Sequence, residues 1–256
     1  MSPREPARAF QLDVDGITVE VVRKRVKHVN LKVYPPDGQV RVSAPVRMPD
    51  GLVAAAVRER IGWIERHRAR FAAVPLRRRL AYLSGERVSV LGTPHTLRFA
   101  VVPLDANGTR PDRPDADLAT PELTLVVPAH AGVAERRKAL EARLRQIAKE
   151  AFAAEAQRWA LTMGVRTPTV HVRRMRSRWG TCHVRAGKVY LNLALVTRPH
   201  ECLTYVVVHE LAHLIVPDHS RRFWLTVERY LPNWRDGERR LAREPLWADP
   251  VWGDRD

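Results

Sequence analysis

The sequence predicts an α+β protein, and three features of its 256 residues carry this prediction. Short segments that alternate apolar and polar residues dominate the first half of the chain. A long amphipathic helix, about Val133 to Met163, opens the second half, and Gly164 ends it. Two strands and then further helices follow. We therefore expect a β-rich N-terminal region, residues 1–128, and a helix–sheet–helix C-terminal region, residues 129–256.

The N-terminal region is predicted to contain strands and one helix. The strands follow from period-two alternation, at residues 17–23, 30–34, 39–43, 87–91, 96–102 and 122–127. Pro49-Asp50 opens the helix, which has apolar residues at helical spacing and runs to about Ala73. Residues 104–121 are rich in Pro, Asp, Gly and Asn and cannot bury much apolar surface, so we expect a mobile surface loop there.

The C-terminal region continues after the long helix with strands and three more helices. The strands are predicted at 169–174 and 188–193, and the helices at about 200–215, from Ser220, and near 235–243. The first of these helices is strongly apolar, which indicates that it is buried.

Composition limits the class of protein. Hydrophobic residues make up 45% and charged residues 28%, which is typical of a soluble globular protein. The most apolar segment, residues 203–216, is too short to cross a bilayer, so no membrane partner is expected. Two cysteines without CxxC spacing do not form a disulfide framework, which favours a cytoplasmic location. The net charge of +16 favours an anionic partner such as nucleic acid, although an Arg-rich coding bias explains it equally well.

The segment that carries chemistry is His209-Glu210-Leu211-Ala212-His213, an HExxH motif within a predicted helix. Residues four apart lie on one helical face, so both imidazoles can reach the same metal ion. Glu210 lies beside that face, where it could hydrogen-bond a metal-bound water. Zinc accepts nitrogen ligands, and a catalytic zinc site has three protein ligands with a fourth position for water. The motif predicts one zinc ion, although such sites also accept other divalent metals.

His219 is the predicted third ligand. Pro217 disfavours helix at Val216, so the chain should turn there and could bring His219 back to the metal. Two alternatives stay open at this point. His219 could be a solvated loop histidine, or Glu228 or Glu238 could supply the third ligand instead.

Three neutral imidazoles leave the ion its positive charge, which lowers the pKa of bound water to about 7. Glu210 can then take a proton from the attacking water and deliver it to the leaving group. The motif therefore predicts metal-dependent hydrolysis with Glu210 as the catalytic residue.

Further motifs surround these residues. They are Arg178-Trp179-Gly180-Thr181-Cys182, Val189-Tyr190-Leu191-Asn192-Leu193, Tyr205-Val206-Val207-Val208, His219-Ser220 and Phe223-Trp224. Their order and spacing resemble those of the YgjP-like metal-dependent hydrolases, which are related to the SprT-like and WLM zincin metallopeptidases. The likeness covers nearly the whole chain, and Thr181 stands where the family usually has Ser. The resemblance implies a minimal zincin-like domain in which the HExxH helix packs on a small sheet and His209, His213 and His219 bind the metal.

Other polar residues are candidates for binding substrate. Tyr190 and Asn192 lie on a strand that could run along the cleft, where an extended peptide could add to its edge. These two residues could face substrate or simply hold the sheet. Arg176 and Arg178 could line the cleft and bind an anionic group, although surface arginines usually have no such role.

Three functions are consistent with the sequence. The leading one is a zinc metallopeptidase that cleaves a peptide or protein substrate. The second is a metal-dependent nucleotide phosphoanhydride hydrolase, a pyrophosphatase, which the positive charge suits. The third is a nucleic-acid-associated SprT-like protein whose basic surface docks on DNA or RNA. An enzyme is favoured, because nothing in a structural zinc site requires Glu210. The sequence does not predict the oligomeric state.

Overall fold

The computed structural model describes residues 9–74, 78–101 and 122–252. Within these ranges the strands form three small sheets and the helices pack beside them, which confirms the α+β class. The loop predicted at 104–121 lies outside the described residues. No helix in the described ranges is both long enough and apolar enough to cross a membrane.

The first compact unit, residues 1–77, combines a four-stranded sheet with two helices. Its elements are β1 (Ala9–Val14), β2 (Ile17–Lys24), β3 (Asn30–Tyr34), β4 (Gln39–Pro45), α1 (Asp50–Arg58) and α2 (Ile61–Ala72). The strand order is β1-β2-β4-β3, with β2 and β4 parallel and the outer pairs antiparallel. Valines of β2 and β4 pack with Val53, Val57 and Ile64 of the helices to form its core.

The single helix predicted from residue 49 to about residue 73 is wrong, because the structure has two. Arg60, with φ −114° and ψ 9°, leaves the helical conformation between α1 and α2. Its N–H donates to the Val57 carbonyl three residues back, at 2.9 Å, which is the hydrogen bond of a tight turn and not of an α-helix.

The second compact unit, residues 78–256, contains the HExxH helix. Its elements are β5 (Arg87–Val90), β6 (Thr93–Val101), β7 (Glu122–Val127), α3 (Val133–Met163), β8 (Thr169–Arg173), β9 (Gly180–His183), β10 (Lys188–Asn192), α4 (His200–Ala212), α5 (Arg221–Tyr230) and α6 (Trp234–Arg243). The division between the units does not coincide with the boundary expected at residues 128 and 129. The reason is that side chains of β5, β6 and β7 share one hydrophobic core with α3 and α4.

The sheet β8-β10-β9 lies beside the HExxH helix, α4. Its central strand, β10, is parallel to β8 and antiparallel to β9. Val189 and Leu191 of β10 are buried in the core, so this face of the sheet is the one that α3 and α4 cover. Since β10 is paired on both sides, it has no open edge for a peptide. Strand β9, which contacts α4, is paired on one side only among the described residues. The sequence did not predict this strand.

Candidate metal centre

Three imidazoles meet at the C-terminal end of α4. His209 lies in its last turn, His213 directly follows the helix, and His219 comes from the loop before α5. Their ligand nitrogens all lie within 4.8 Å of one another. The Nε2 atoms of His209 and His219 are 3.1 Å apart. Two nitrogen ligands of a tetrahedral zinc ion, at bond lengths of 2.0–2.1 Å, lie about 3.3 Å apart, so the spacing of this pair fits such an ion.

The loop between α4 and α5 returns His219 to the end of α4. Pro217 cannot continue the helix, and its carbonyl accepts a hydrogen bond from Nδ1 of His213 at 3.1 Å. That bond fixes the tautomer of His213 and leaves its Nε2 free to bind a metal. Asp218 then accepts a hydrogen bond from the N–H of Ser220 at 3.1 Å, directly before α5 begins.

The acidic residues considered as the third ligand lie outside this cluster. Among the described residues, the group that could hold a metal consists of the three histidines. Glu228 forms an ion pair with Arg235 at 3.0 Å, and Glu238 is exposed on α6. The structure therefore brings His219, and neither glutamate, to the other two imidazoles.

Phe223 on α5 packs against all three imidazole rings of the cluster. It is fully buried, and its ring centroid lies 4.9 Å from that of His209, 4.6 Å from that of His213 and 4.8 Å from that of His219. Trp224 stacks on His219 with the centroids 6.0 Å apart. Sequence reasoning identified Phe223 only as part of a motif. Its position in the first turn of the helix that directly follows His219 was the available signal.

The environment favours the neutral form of the histidines. Burial, together with the neighbouring His213 and His219, lowers the pKa of His209 to about 4. Burial and the nearby His219 also lower the pKa of His213. Neutral imidazoles are the form that binds metal, so the two rings on the helix are ready as ligands near neutral pH.

Glu210 belongs to α4, and its side chain points towards β9; the residue is 5% exposed. The backbone of Gly180 comes so close that a Cβ there would lie 2.5 Å from Oε1 and 2.8 Å from Cγ of Glu210. Any side chain at position 180 would therefore displace the carboxyl group. Sequence reasoning gave Gly180 no role of its own, although a glycine inside a strand often marks such a close approach.

Burial raises the pKa of Glu210 to about 8, against the attraction of Arg178, which lowers it. Without a neighbouring cation the carboxyl group would hold its proton at neutral pH, and a divalent cation beside it would favour the carboxylate. Such perturbed groups are typical of functional sites. The arrangement thus places a group that can exchange protons beside three imidazoles.

The side chain of Tyr190 lies on the face of the sheet that points away from Glu210. Gly180 faces Glu210 and is paired with Leu191, so Leu191 shares the face that α4 covers. Its neighbour Tyr190 points to the opposite face, where it stacks on His171 with the centroids 5.0 Å apart. Of the two roles considered for Tyr190, holding the sheet is the one that its position fits.

Asn192 is 1% exposed, and its side chain is used within the chain. Its Nδ2 donates to the carbonyls of Met175 at 2.9 Å and Arg178 at 2.7 Å, and its Oδ1 accepts from the N–H of Ala194 at 3.1 Å. Asn192 therefore anchors the loop that leads into β9 and leaves no group for a substrate. Of the two roles considered for Asn192, holding the sheet is the one that these hydrogen bonds fit.

Arg176 and Arg178 lie on that anchored loop, and both side chains are exposed. Arg178 is close enough to Glu210 for its charge to lower the pKa of the carboxyl group. Arg176 lies two residues earlier on the same loop. The structure thus places Arg178 beside the candidate site and Arg176 next to it in the chain.

Comparison with known proteins identifies the family of the chain. A family model described as the YgjP-like metallopeptidase domain matches residues 27–244. No curated protein gives a significant match. Solved structures that match include the metallopeptidase zymogen of Pyrococcus abyssi abylysin, at 24% identity over 36% of this chain and 93% of that chain, with a TM-score of 0.35. Another is the metallopeptidase zymogen of Methanocaldococcus jannaschii jannalysin, at 14% identity over 36% and 95% of the two chains, with a TM-score of 0.34. Because the family model spans most of its length, the chain belongs to the YgjP-like metallopeptidase family, whose members are metal-dependent hydrolases.

Proposed function

We propose that the protein is a zinc metallopeptidase in which His209, His213 and His219 hold one zinc ion and Glu210 is the catalytic base. The observation that carries the proposal is the meeting of three imidazole ligand atoms within 4.8 Å, directly beside a buried glutamate. A set of three protein ligands is typical of catalytic zinc, whereas structural sites fill all four positions with protein.

The chain supplies the groups that the reaction needs. When bound, the ion supplies Lewis-acid chemistry, which polarises a carbonyl and acidifies water. Glu210 accepts a proton from the attacking water and delivers it to the leaving amine. Gly180, which has no side chain, leaves room for the Glu210 carboxyl group, and the Pro217 carbonyl orients the ring of His213 by accepting its hydrogen bond.

β9 is the strand on which an extended peptide could bind. Its residue Gly180 lies against the carboxyl group of Glu210, and the strand is hydrogen-bonded on one side, to β10. A peptide that added to its other edge would gain main-chain hydrogen bonds and pass the carboxyl group of Glu210. β9 replaces residues 189–193 in this role, since Val189, Tyr190 and Leu191 are paired with both β8 and β9.

The proposal is tested by measuring zinc content and hydrolysis on the same purified samples. We expect about one zinc per chain and cleavage of a casein-derived peptide that a chelator abolishes and zinc restores. Glu210→Gln should keep the zinc and lose about 10²–10⁴-fold in kcat, whereas His213→Ala should lose both. Glu238→Gln, an exposed glutamate of α6, is the matched control. Full activity in Glu210→Gln, or turnover of nucleoside triphosphates without peptide cleavage, would contradict the assignment.

A further inference from the structure

The chain has an unusual distribution of charge around β9. Residues 156–200 contain no Asp or Glu, yet they contain nine Lys and Arg. This segment forms β8, β9 and β10 and the loops that join them. The sheet beside Glu210 therefore has no acidic side chain of its own.

Some of these cations are neutralised by acidic residues that flank the segment. Arg158 pairs with Glu155 at 2.7 Å, and the buried Arg198 pairs with Asp249. The two arginines of the loop before β9, at positions 176 and 178, differ. Both are exposed, and within the described ranges neither guanidinium group makes an ion pair or a hydrogen bond. Their charges are therefore available to a ligand.

The loop that carries them is held in place. Asn192 binds the carbonyls of Met175 and Arg178, and its own N–H donates to the Trp179 carbonyl at 2.8 Å. Arg178 lies two residues before Gly180, whose backbone lies against the carboxyl group of Glu210. An anionic group bound by Arg178 would thus lie close to the reacting bond.

The far end of β9 has two cations beside it as well. Arg185 lies in the turn after the strand, and Lys188 opens β10 opposite His183, the last residue of β9; both cations are exposed. An extended chain along the open edge of β9 would have cations at both of its ends. A site lined by one sign of charge raises the local concentration of ligands with the opposite sign.

We propose that the site selects acidic polypeptides, with Asp or Glu side chains next to the scissile bond bound by Arg176 and Arg178. The inference rests on the proposed peptidase function. Guanidinium groups match carboxylates in two-pronged hydrogen bonds, which gives selectivity as well as attraction. A polypeptide fits better than a nucleic acid because the cations flank a strand edge, whose N–H and C=O groups pair with a peptide backbone.

The test uses two peptides that are identical except for Glu or Gln on both sides of the scissile bond. We expect kcat/KM for the Glu peptide to be about tenfold higher. In the double variant Arg176→Gln/Arg178→Gln this preference should fall below about twofold. The control double variant Lys138→Gln/Lys149→Gln removes the same charge from exposed positions of α3 and should keep it. The ratio between the peptides is unaffected by any general loss of activity.

A second readout is peptide binding to the Glu210→Gln protein, followed by fluorescence anisotropy. The Glu peptide should bind more tightly, and salt should weaken its binding. Equal kcat/KM for the two peptides, or a preference that survives in the arginine double variant, overturns the inference and leaves the peptidase function intact. So does a single-stranded oligonucleotide that binds more tightly than the Glu peptide and displaces it. Failure of the zinc-loaded protein to cleave either peptide overturns the proposed function, and the inference with it.

Discussion

Gly180→Ala tests how closely the Glu210 carboxyl group must be placed. The added methyl group would lie 2.5 Å from Oε1, 2.8 Å from Cγ and 2.9 Å from Cδ of Glu210. Carbon atoms in ordinary contact are about 3.5–4.0 Å apart, so the carboxyl group must move by about 1 Å. Its surroundings leave little room for a smaller adjustment, because the side chain is 5% exposed.

The magnitude follows from this displacement. A catalytic group that is misplaced by about 1 Å lowers the rate by about 100-fold, which corresponds to about 2.7 kcal/mol of transition-state stabilisation. The three atoms nearest to the added methyl group all belong to Glu210 and none to a histidine. We therefore expect kcat to fall about 100-fold while the zinc content stays at the wild-type level.

The assay is steady-state peptide hydrolysis, with zinc content and melting temperature measured on the same protein. Gly51→Ala is the matched control, because a Cβ at this α1 glycine meets nothing within 4 Å. Its activity should stay within about twofold of wild type, since only an exposed helical position changes. A zinc-loaded Gly180→Ala protein with kcat within about threefold of wild type would refute the reasoning.

Two further predictions concern residues behind the site. Phe223→Leu removes the ring that contacts all three imidazoles, so zinc affinity, measured by competition with a chelator, should fall about tenfold. Burial alone would raise the pKa of Glu155, but hydrogen bonds from Arg158 and Thr204 outweigh it and hold that pKa below the ordinary 4.5. Its stabilisation is therefore complete above pH 4.5 and lost as the pH falls through the folded-state pKa, so Glu155→Gln should lower the urea midpoint at pH 7, and this effect should shrink as the pH of the assay is lowered below 4.5.

Local signals explain which helices the sequence could predict. The range of α3 follows from its apolar stripe and from Gly164, which ends it with left-handed backbone at φ 65°. The break at Arg60 could not be found in the same way. Val57 and Ile61, on either side of it, keep the spacing of a continuous helix. Gly62, two residues after Arg60, is a weak helix-breaking signal, and this regular apolar spacing outweighs it.

The cluster of histidines follows from equally local rules. Helical geometry brings His209 and His213 together, and Pro217 ends the helix so that the chain can return with His219. The sheet beside them depends on pairings between distant residues. β9 has only four residues, from Gly180 to His183, and no clear alternation, so nothing in the sequence marks it as a strand. Without β9, the central place of β10 could not be recognised.

The phase of one strand pairing decides which side chains reach the site. Since side chains alternate across a sheet, the pairing of Gly180 with Leu191 sends Tyr190 to the face away from Glu210. A shift by one residue would bring Thr181 towards α4 in place of the glycine, and its side chain would fill the space that the carboxyl group occupies. The close approach at Gly180 therefore fixes both the room for Glu210 and the register of the sheet. Once the structure identifies β9 as a strand, its glycine marks the face of the sheet that lies against the HExxH helix and so separates the residues facing Glu210 from those facing away.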